Sequence, residues 1–269
     1  MSDNLVIGGA TFSGVTGIKA TDTNDNVVTF ESGGGGEWTT TGILNGTEPN
    51  GAVSTQATSI AAYALAGKTA VTSISAPLAT NVGNGAFQGC TGLTSVSLPL
   101  FNSNSTALFN GCNALTVIGA ADMPSARYLG QNMFSGCTNL QTLVLPSVRT
   151  FYSDFLNGSN NLAVLDIGYT AESTDGRISS SLGRANSLTT IILRRATMYA
   201  LSHTNWFNYT PFAANGTGGT IYVPQSLLES YTNGTNWSTL IGRANNQILP
   251  IEGSIYETQY ADGTPIPTT

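Results

Sequence analysis

Charge is what this 269-residue chain has least of: Asp, Glu, Lys and Arg make up 9% of it. A soluble domain ordinarily carries about a quarter. The 9 basic and 15 acidic residues leave a net charge of −6, and only Arg194-Arg195 places two basic residues side by side. Without a basic stripe to displace counterions, nucleic acid is excluded as a partner. The single histidine, His203, leaves a Ser-His-Asp or histidine–metal site without its other members. No apolar run reaches membrane-spanning length, so no membrane insertion is expected. The opening MSDNLVIGGATFSG has neither a basic n-region nor an apolar h-region, so the ordinary secretory route is not expected either. Hydrophobic content is 41%, and Ser, Thr, Asn and Gly stand where charges are missing. Low net charge predicts a folded chain, and such a surface suits β-structure with many turns.

What the chain has is a repeat. AFQGCTGLTSVSLP (86–99) returns as LFNGCNALTVIGA (108–120), MFSGCTNLQTLVL (133–145), FLNGSNNLAVLDI (155–167) and SLGRANSLTTIIL (181–193), after a weaker copy ALAGKTAVTSISA (64–76). Apolar anchors six residues apart mark each copy: Leu65/Val71, Phe87/Leu93, Phe109/Leu115, Phe134/Leu140, Leu156/Leu162 and Leu182/Leu188. The second anchors fall 22, 22, 25, 22 and 26 residues apart. A period in the twenties with an LxxLxL core predicts a stacked solenoid. The first anchor of each coil is expected in a short helix or 3₁₀ turn. LxxLxL is expected as a strand, so that the coils build a parallel sheet. Cys90, Cys112 and Cys137 share one slot with Lys68, Ser159 and Ala185, which reads as a small buried volume with free thiols. Equivalent Cβ vectors in stacked coils run parallel, which disfavours a disulfide. The longer intervals hold insertions near Gly119–Pro124 and at 171–177.

The organisation read from these patterns has four parts. Residues 1–36 form a small β-rich module ending in a Gly33–Gly36 hinge. The solenoid occupies 37–223, with an irregular stretch at 196–219 where His203, Trp206, Phe207, Tyr209 and Phe212 gather. Residues 224–251 form a helical cap opened by Pro224, with a second short helix around Trp237–Arg243. The last segment, 252–269, is polar and reads as a tail or an extended arm.

The pattern AFxGCxxLxxVxLP resembles the BspA-type leucine-rich repeat, and IYVPxSLLExYxxxxNW resembles the segment that commonly closes such arrays. The resemblance covers about residues 53–250. It implies an α/β solenoid with a parallel sheet, and a non-enzymatic surface adhesin or antigen with no cofactor. GGATFSGVTGIKATDTNDNVVTFESGGGG resembles N-terminal segments of phage virion proteins. That second resemblance implies a head-fibre, tail-fibre or decoration protein at the virion surface. Its N-terminal module would contact other virion proteins through Val6, Ile7, Phe12, Val15, Ile18, Val28 and Phe30. A homotrimer through these strands is the assembly expected of a fibre protein. A bacterial cell-surface adhesin of the same repeat family and an intracellular protein-binding scaffold are the alternatives.

Residues between the leucines of LxxLxL point out of the sheet. They are hydroxyls in the first coils and become Val144, Val164, Asp166, Ile192 and Tyr222 in the later ones. An exposed apolar stripe often marks a contact site. This stripe, with Trp206 and Tyr209 nearby, is therefore the expected recognition surface for a host cell-surface protein or glycan.

Overall fold

The computed structural model describes residues 4–7, 10–13, 16–21, 27–31, 37–38, 51–55, 57–168, 177–178, 182, 184–201, 207–243 and 245–267. For the strands before residue 50, and for 177–178 and 200–201, the description is of the backbone alone. Val15, Trp206, His203 and the Gly33–Gly36 segment lie outside the described residues.

Two parallel ladders run the length of the stack. The longer strands pair in register as the repeat requires: Val71–Ser75 with Ser95–Ser97, then Val117–Ile118, Thr142–Leu145, Val164–Ile167, Thr190–Leu193, Thr220–Val223 and Gln247–Pro250. The ladder is broken once, between Ser95–Ser97 and Val117–Ile118. There the first insertion interposes itself, and Leu98 N–H donates to Asp122 O instead of continuing the regular pairing. A second ladder of two-residue strands runs beside it in two parts, Glu37–Trp38, Ser59–Ile60 and Asn81–Val82, then, past a coil without such a strand, Tyr128–Leu129, Thr150–Phe151, Arg177–Ile178 and Ala200–Leu201.

The segment around the first anchor contains no α-helix, which corrects the α/β expectation for the coils: the described repeat is strand and turn. Its backbone makes i→i+3 bonds, such as Cys90 N to Phe87 O and Cys112 N to Phe109 O. Left-handed residues interrupt these bonds before a helix can form. Gly67, Gly89, Gly111, Gly136 and Gly158 have φ of 70–82°, which explains the invariant Gly of the FxGC phrase in these five copies. A second left-handed column comprises Tyr63, Gly85, Ala107, Asn132 and Asp154. At both columns the turns hydrogen-bond from coil to coil, for example Gly89 N to Asn110 O and Gly111 N to Ser135 O.

The core is the stacked interior of these coils. Phe87, Phe109 and Phe134 stack with ring centroids 5.5 and 5.4 Å apart. The cysteine slot proves to be more than small. Cys90, Cys112 and Cys137 each donate an S–H to a carbonyl of the preceding coil, Leu65 O, Phe87 O and Phe109 O, at 3.1 Å. Ser159 donates to Phe134 O at 2.6 Å in the same way. The slot therefore takes a short side chain with a donor, which Cys and Ser share and Ala185 lacks. All three cysteines are free, as expected. Burial pushes the thiol of Cys90 up to about 11 and that of Cys137 to about 12, so these sulfurs are poor nucleophiles.

Both ends of the stack are finished by the chain itself. At the N-terminal end the hairpin Thr16–Thr21/Val27–Glu31 adds antiparallel to Gly51–Thr55, extending the main sheet. The strands Asn4–Ile7 and Ala10–Ser13 form a separate two-stranded sheet. At the C-terminal end a 3₁₀ turn, Gln225–Leu227, leads into α-helices Leu228–Asn233 and Trp237–Ile241. Trp237 and Tyr231 are buried there, Trp237 Nε1 donating to Tyr199 O at 2.9 Å and Tyr199 N–H donating to Tyr231 Oη at 2.9 Å. The helices belong to a last coil rather than following the stack, because Gln247–Pro250 returns to pair in parallel with Thr220–Val223.

Candidate functional site

The outer face of the main sheet carries two columns of outward side chains, and the structure treats them differently. The first column is Ser73, Ser95, Val117, Thr142, Val164, Thr190, Thr220 and Gln247, and every member is exposed or half-exposed. The second runs Ser75, Ser97, then Val144, Asp166, Ile192, Tyr222 and Leu249. Here the solvent-facing stripe expected from the sequence is corrected. Val144 and Ile192 are fully buried and Asp166 is 1% exposed. The cover is the chain's own C-terminal segment, expected as a polar tail or an extended arm and found folded back across the sheet.

This arm leaves the last strand at Ile251 and ends in a tight turn about Asp262-Gly263. Tyr260 N–H donates to Thr264 O at 2.8 Å and Thr264 N–H to Asp262 Oδ1 at 3.0 Å, closing the turn, and Gly263 takes φ 84°. Tyr260 packs on Val144 and Ala120, with Ala261 and Ile266 beside them. Tyr256 meets the edge of Tyr222, ring centroids 4.9 Å apart. The tip reaches the first insertion, where Asp262 Oδ2 accepts from Ala120 N–H at 2.8 Å. Gly119 permits that approach: a Cβ there would lie 2.5 Å from Asp262 Oδ2.

A buried ion pair pins the middle of the arm. Arg194 donates from Nε and Nη2 to the two oxygens of Asp166 at 2.6 and 2.8 Å. Its remaining donors reach Tyr256 O at 2.7 Å and Gln259 O at 2.9 Å, and the guanidinium lies over the Tyr260 ring, 5.1 Å from the centroid. Asp166 Oδ2 also accepts from Ala261 N–H at 2.9 Å. Burial raises the Asp166 carboxyl, while Arg194 and the Ala261 N–H pull it down. One acid and one base from neighbouring coils thus satisfy each other and three backbone groups of the arm. Neither is free for chemistry.

Of the other expected surface residues, Val164 and Tyr222 are half-exposed. Tyr209 is 57% exposed with the Arg184 guanidinium 5.5 Å from its ring centroid. Phe207 and Phe212 close the core beside Trp237. Of the N-terminal residues, Val6, Ile7, Phe12, Ile18, Val28 and Phe30 lie on the strands described above. Sequence reasoning left an arm as one reading of this segment and missed where it docks. Its signal was Asp262-Gly263 flanked by Tyr260 and Ile266, a hairpin turn with apolar shoulders inside an otherwise polar segment. Among the described residues no group of His, Cys, Asp and Glu is placed to hold a metal ion, and no helix is long and apolar enough to cross a membrane.

Residues 58–178 match, in six copies, the family described as the BspA type leucine rich repeat region. The matched stretch is part of the coil stack described above. No curated protein matches the chain. Among solved structures, the pneumococcal vaccine antigen PcpA is similar over 74% of this chain at 15% identity, with a TM-score of 0.44. This chain spans 41% of that antigen's length. A leucine-rich cell surface protein from Faecalibacterium prausnitzii A2-165 is similar over 100% of this chain and 99% of its own, at 11% identity and a TM-score of 0.34. A leucine-rich repeat protein from Bacteroides ovatus ATCC 8483 is similar over 72% of this chain and 64% of its own, at 16% identity and a TM-score of 0.26.

Proposed function

We propose that this chain is a non-enzymatic, surface-displayed binding protein that presents its repeat sheet to a host surface protein or glycan. The observation that carries this reading is the uncovered first column, in which Val117, Thr142, Val164, Thr190, Thr220 and Gln247 stand in register across successive coils. A rigid row of short hydroxyl and β-branched side chains makes contact without the entropy cost that long flexible side chains carry. The residues with chemistry support a binding role too, since the three thiols, Asp166 and Arg194 are committed to the core and the arm. Proteins with the repeat this chain resembles are typically displayed on bacterial cells, and the repeat match at 58–178 supports that location. The virion reading rests on the resemblance of residues 1–36, the Gly33–Gly36 segment after them and the charge-poor composition, and no similar protein supports it.

Adherence and location test the two halves separately. Thr142→Lys with Thr190→Lys should lower adherence of the purified chain to host cells by about tenfold, the size expected when central contacts of an interface are blocked. Unchanged adherence removes the first column as the binding face. Recovery of the chain with the cell envelope supports the location, and recovery with particles returns the virion reading.

A further inference from the structure

A second surface lies away from the main sheet, on the turn that leads each coil into the short-strand ladder. Thr80, Asn102, Arg127 and Arg149 occupy equivalent places in four consecutive coils. Asn102 N–H donates to Thr80 O at 3.0 Å, and Arg149 N–H to Arg127 O at 2.9 Å. Two residues earlier in each coil stand Leu78, Leu100, Ser125 and Ser147. Between these columns runs a groove of about 290 Å³ lined by Thr80, Leu100, Asn102, Ser125, Arg127, Ser147 and Arg149.

The arginines are what set this groove apart. In a chain of net charge −6, two of its 9 basic residues stand on adjacent coils. Their backbones are about 5 Å apart, the spacing of neighbouring strands. No carboxylate lines the groove. The other arginines with described side-chain contacts are engaged elsewhere: Arg194 with Asp166, Arg195 over Tyr199 and Arg184 over Tyr209. Arg149 Nε is buried and has no hydrogen-bond partner. Two guanidinium groups lining one groove with no carboxylate beside them leave a concentration of positive charge that an anion would offset.

We propose that this groove binds an acidic saccharide, its carboxylate or sulfate group held between Arg127 and Arg149. Guanidinium forks match such oxyanions bidentately. The remaining lining fits a sugar ring: Ser125, Ser147 and Asn102 supply hydroxyl and amide groups, and Leu100, 44% exposed, offers an apolar surface to ring C–H groups. One coil is about as thick as a pyranose ring is long, so a linear chain laid along the stack meets a fresh set of side chains at each sugar. Nucleic acid fits poorly, because two cations on an acidic protein give little counterion release and the groove has no aromatic to stack a base. The proposal does not rest on the sheet-face reading, because the groove shares no residue with the first column.

Calorimetric titration of the full chain at low salt tests it with three probes. They are a trigalacturonate, its fully methyl-esterified form and a chondroitin sulfate tetrasaccharide. The acidic probes should bind and the ester should not. Arg127→Gln and Arg149→Gln, with unchanged melting temperatures, should each weaken binding at least about tenfold, the loss typical of a charge-assisted bidentate contact. Arg184→Gln should bind like the parent. Tighter binding of the sulfated probe keeps the site and assigns sulfate as its anion. Equal binding of the ester, no binding of either acidic probe, or full binding by both groove variants overturns the proposal.

Discussion

The two ends of the sheet's outer face solve one problem in opposite ways. In the early coils the second outward column is Ser75 and Ser97, and both stay half-exposed. In the later coils the same column is Val144, Asp166, Ile192 and Tyr222, and residues 252–267 cover it. The switch falls at the Gly119–Asp122 insertion, where the ladder is broken and the tip of the arm lands. Outward apolar residues in a repeat strand thus mark the footprint of an intramolecular partner here. The side chains alone do not distinguish such a partner from an external one, and both interpretations obey the same burial logic.

The largest way to break the comparison is to remove its pin. Asp166→Ala leaves the Arg194 guanidinium buried against arm carbonyls, and loss of one partner of such a pair costs about 3 kcal/mol or more. The same substitution in a chain ending at Ile251 should cost under about 1 kcal/mol, because Arg194 is then exposed and hydrated. Denaturant unfolding of the four proteins gives the coupling as a double-mutant cycle. Equal costs in both backgrounds would mean that the arm does not bury the pair. Next in size, Val144→Ala should cost about 1.5 kcal/mol from two buried methyl groups, against under about 0.5 kcal/mol for Ser97→Ala in the uncovered half. Similar values at the two positions would erase the distinction between the halves.

How much of this was legible depends on whether a feature repeats. The anchors at Leu65/Val71 through Leu182/Leu188 sit six apart in every coil, so the stack, its parallel sheet and its buried cysteines follow from periodicity. The donor role of Cys112 is half legible: Ser159 in the same slot hints at hydrogen bonding, but Ala185 and Lys68 hide it. The missing helix was not legible, since the left-handed column at Tyr63, Ala107, Asn132 and Asp154 uses residues with no single preference for positive φ. The arm was the hardest. Its contacts join Asp166 to Ala261 and Ala120 to Asp262, separations of 95 and 142 residues, and occur once each. A single long-range docking leaves no period to read. Only the Asp262-Gly263 turn and the tyrosines around it stood in the sequence.

The smallest effect concerns the seam itself. Asp122 Oδ2 accepts from Gly119 N–H at 2.7 Å, and Asp262 lies near enough to repel it. Burial raises the Asp122 carboxyl above its ordinary value of 3.8, the Gly119 N–H opposes the shift, and Asp262 adds to it. The folded state therefore holds this proton more tightly than the unfolded chain does. Its contribution to stability is full below pH 3.8 and is lost as pH rises through the raised folded value. At neutral pH the seam carries the repulsion of two carboxylates, so Asp122→Asn, which keeps an acceptor for Gly119, should tighten the arm tip. The gain should be about a few tenths of a kcal/mol, as for other partly solvated charge pairs. Amide exchange at Ala120 reads it directly. Protection in the variant should exceed the parent's at pH 7 and converge with it as pH approaches 4. A ratio that stays constant with pH would show that the seam is held by the Ala120–Asp262 bond alone, and that charge plays no part in dividing the covered half of the sheet from the open one.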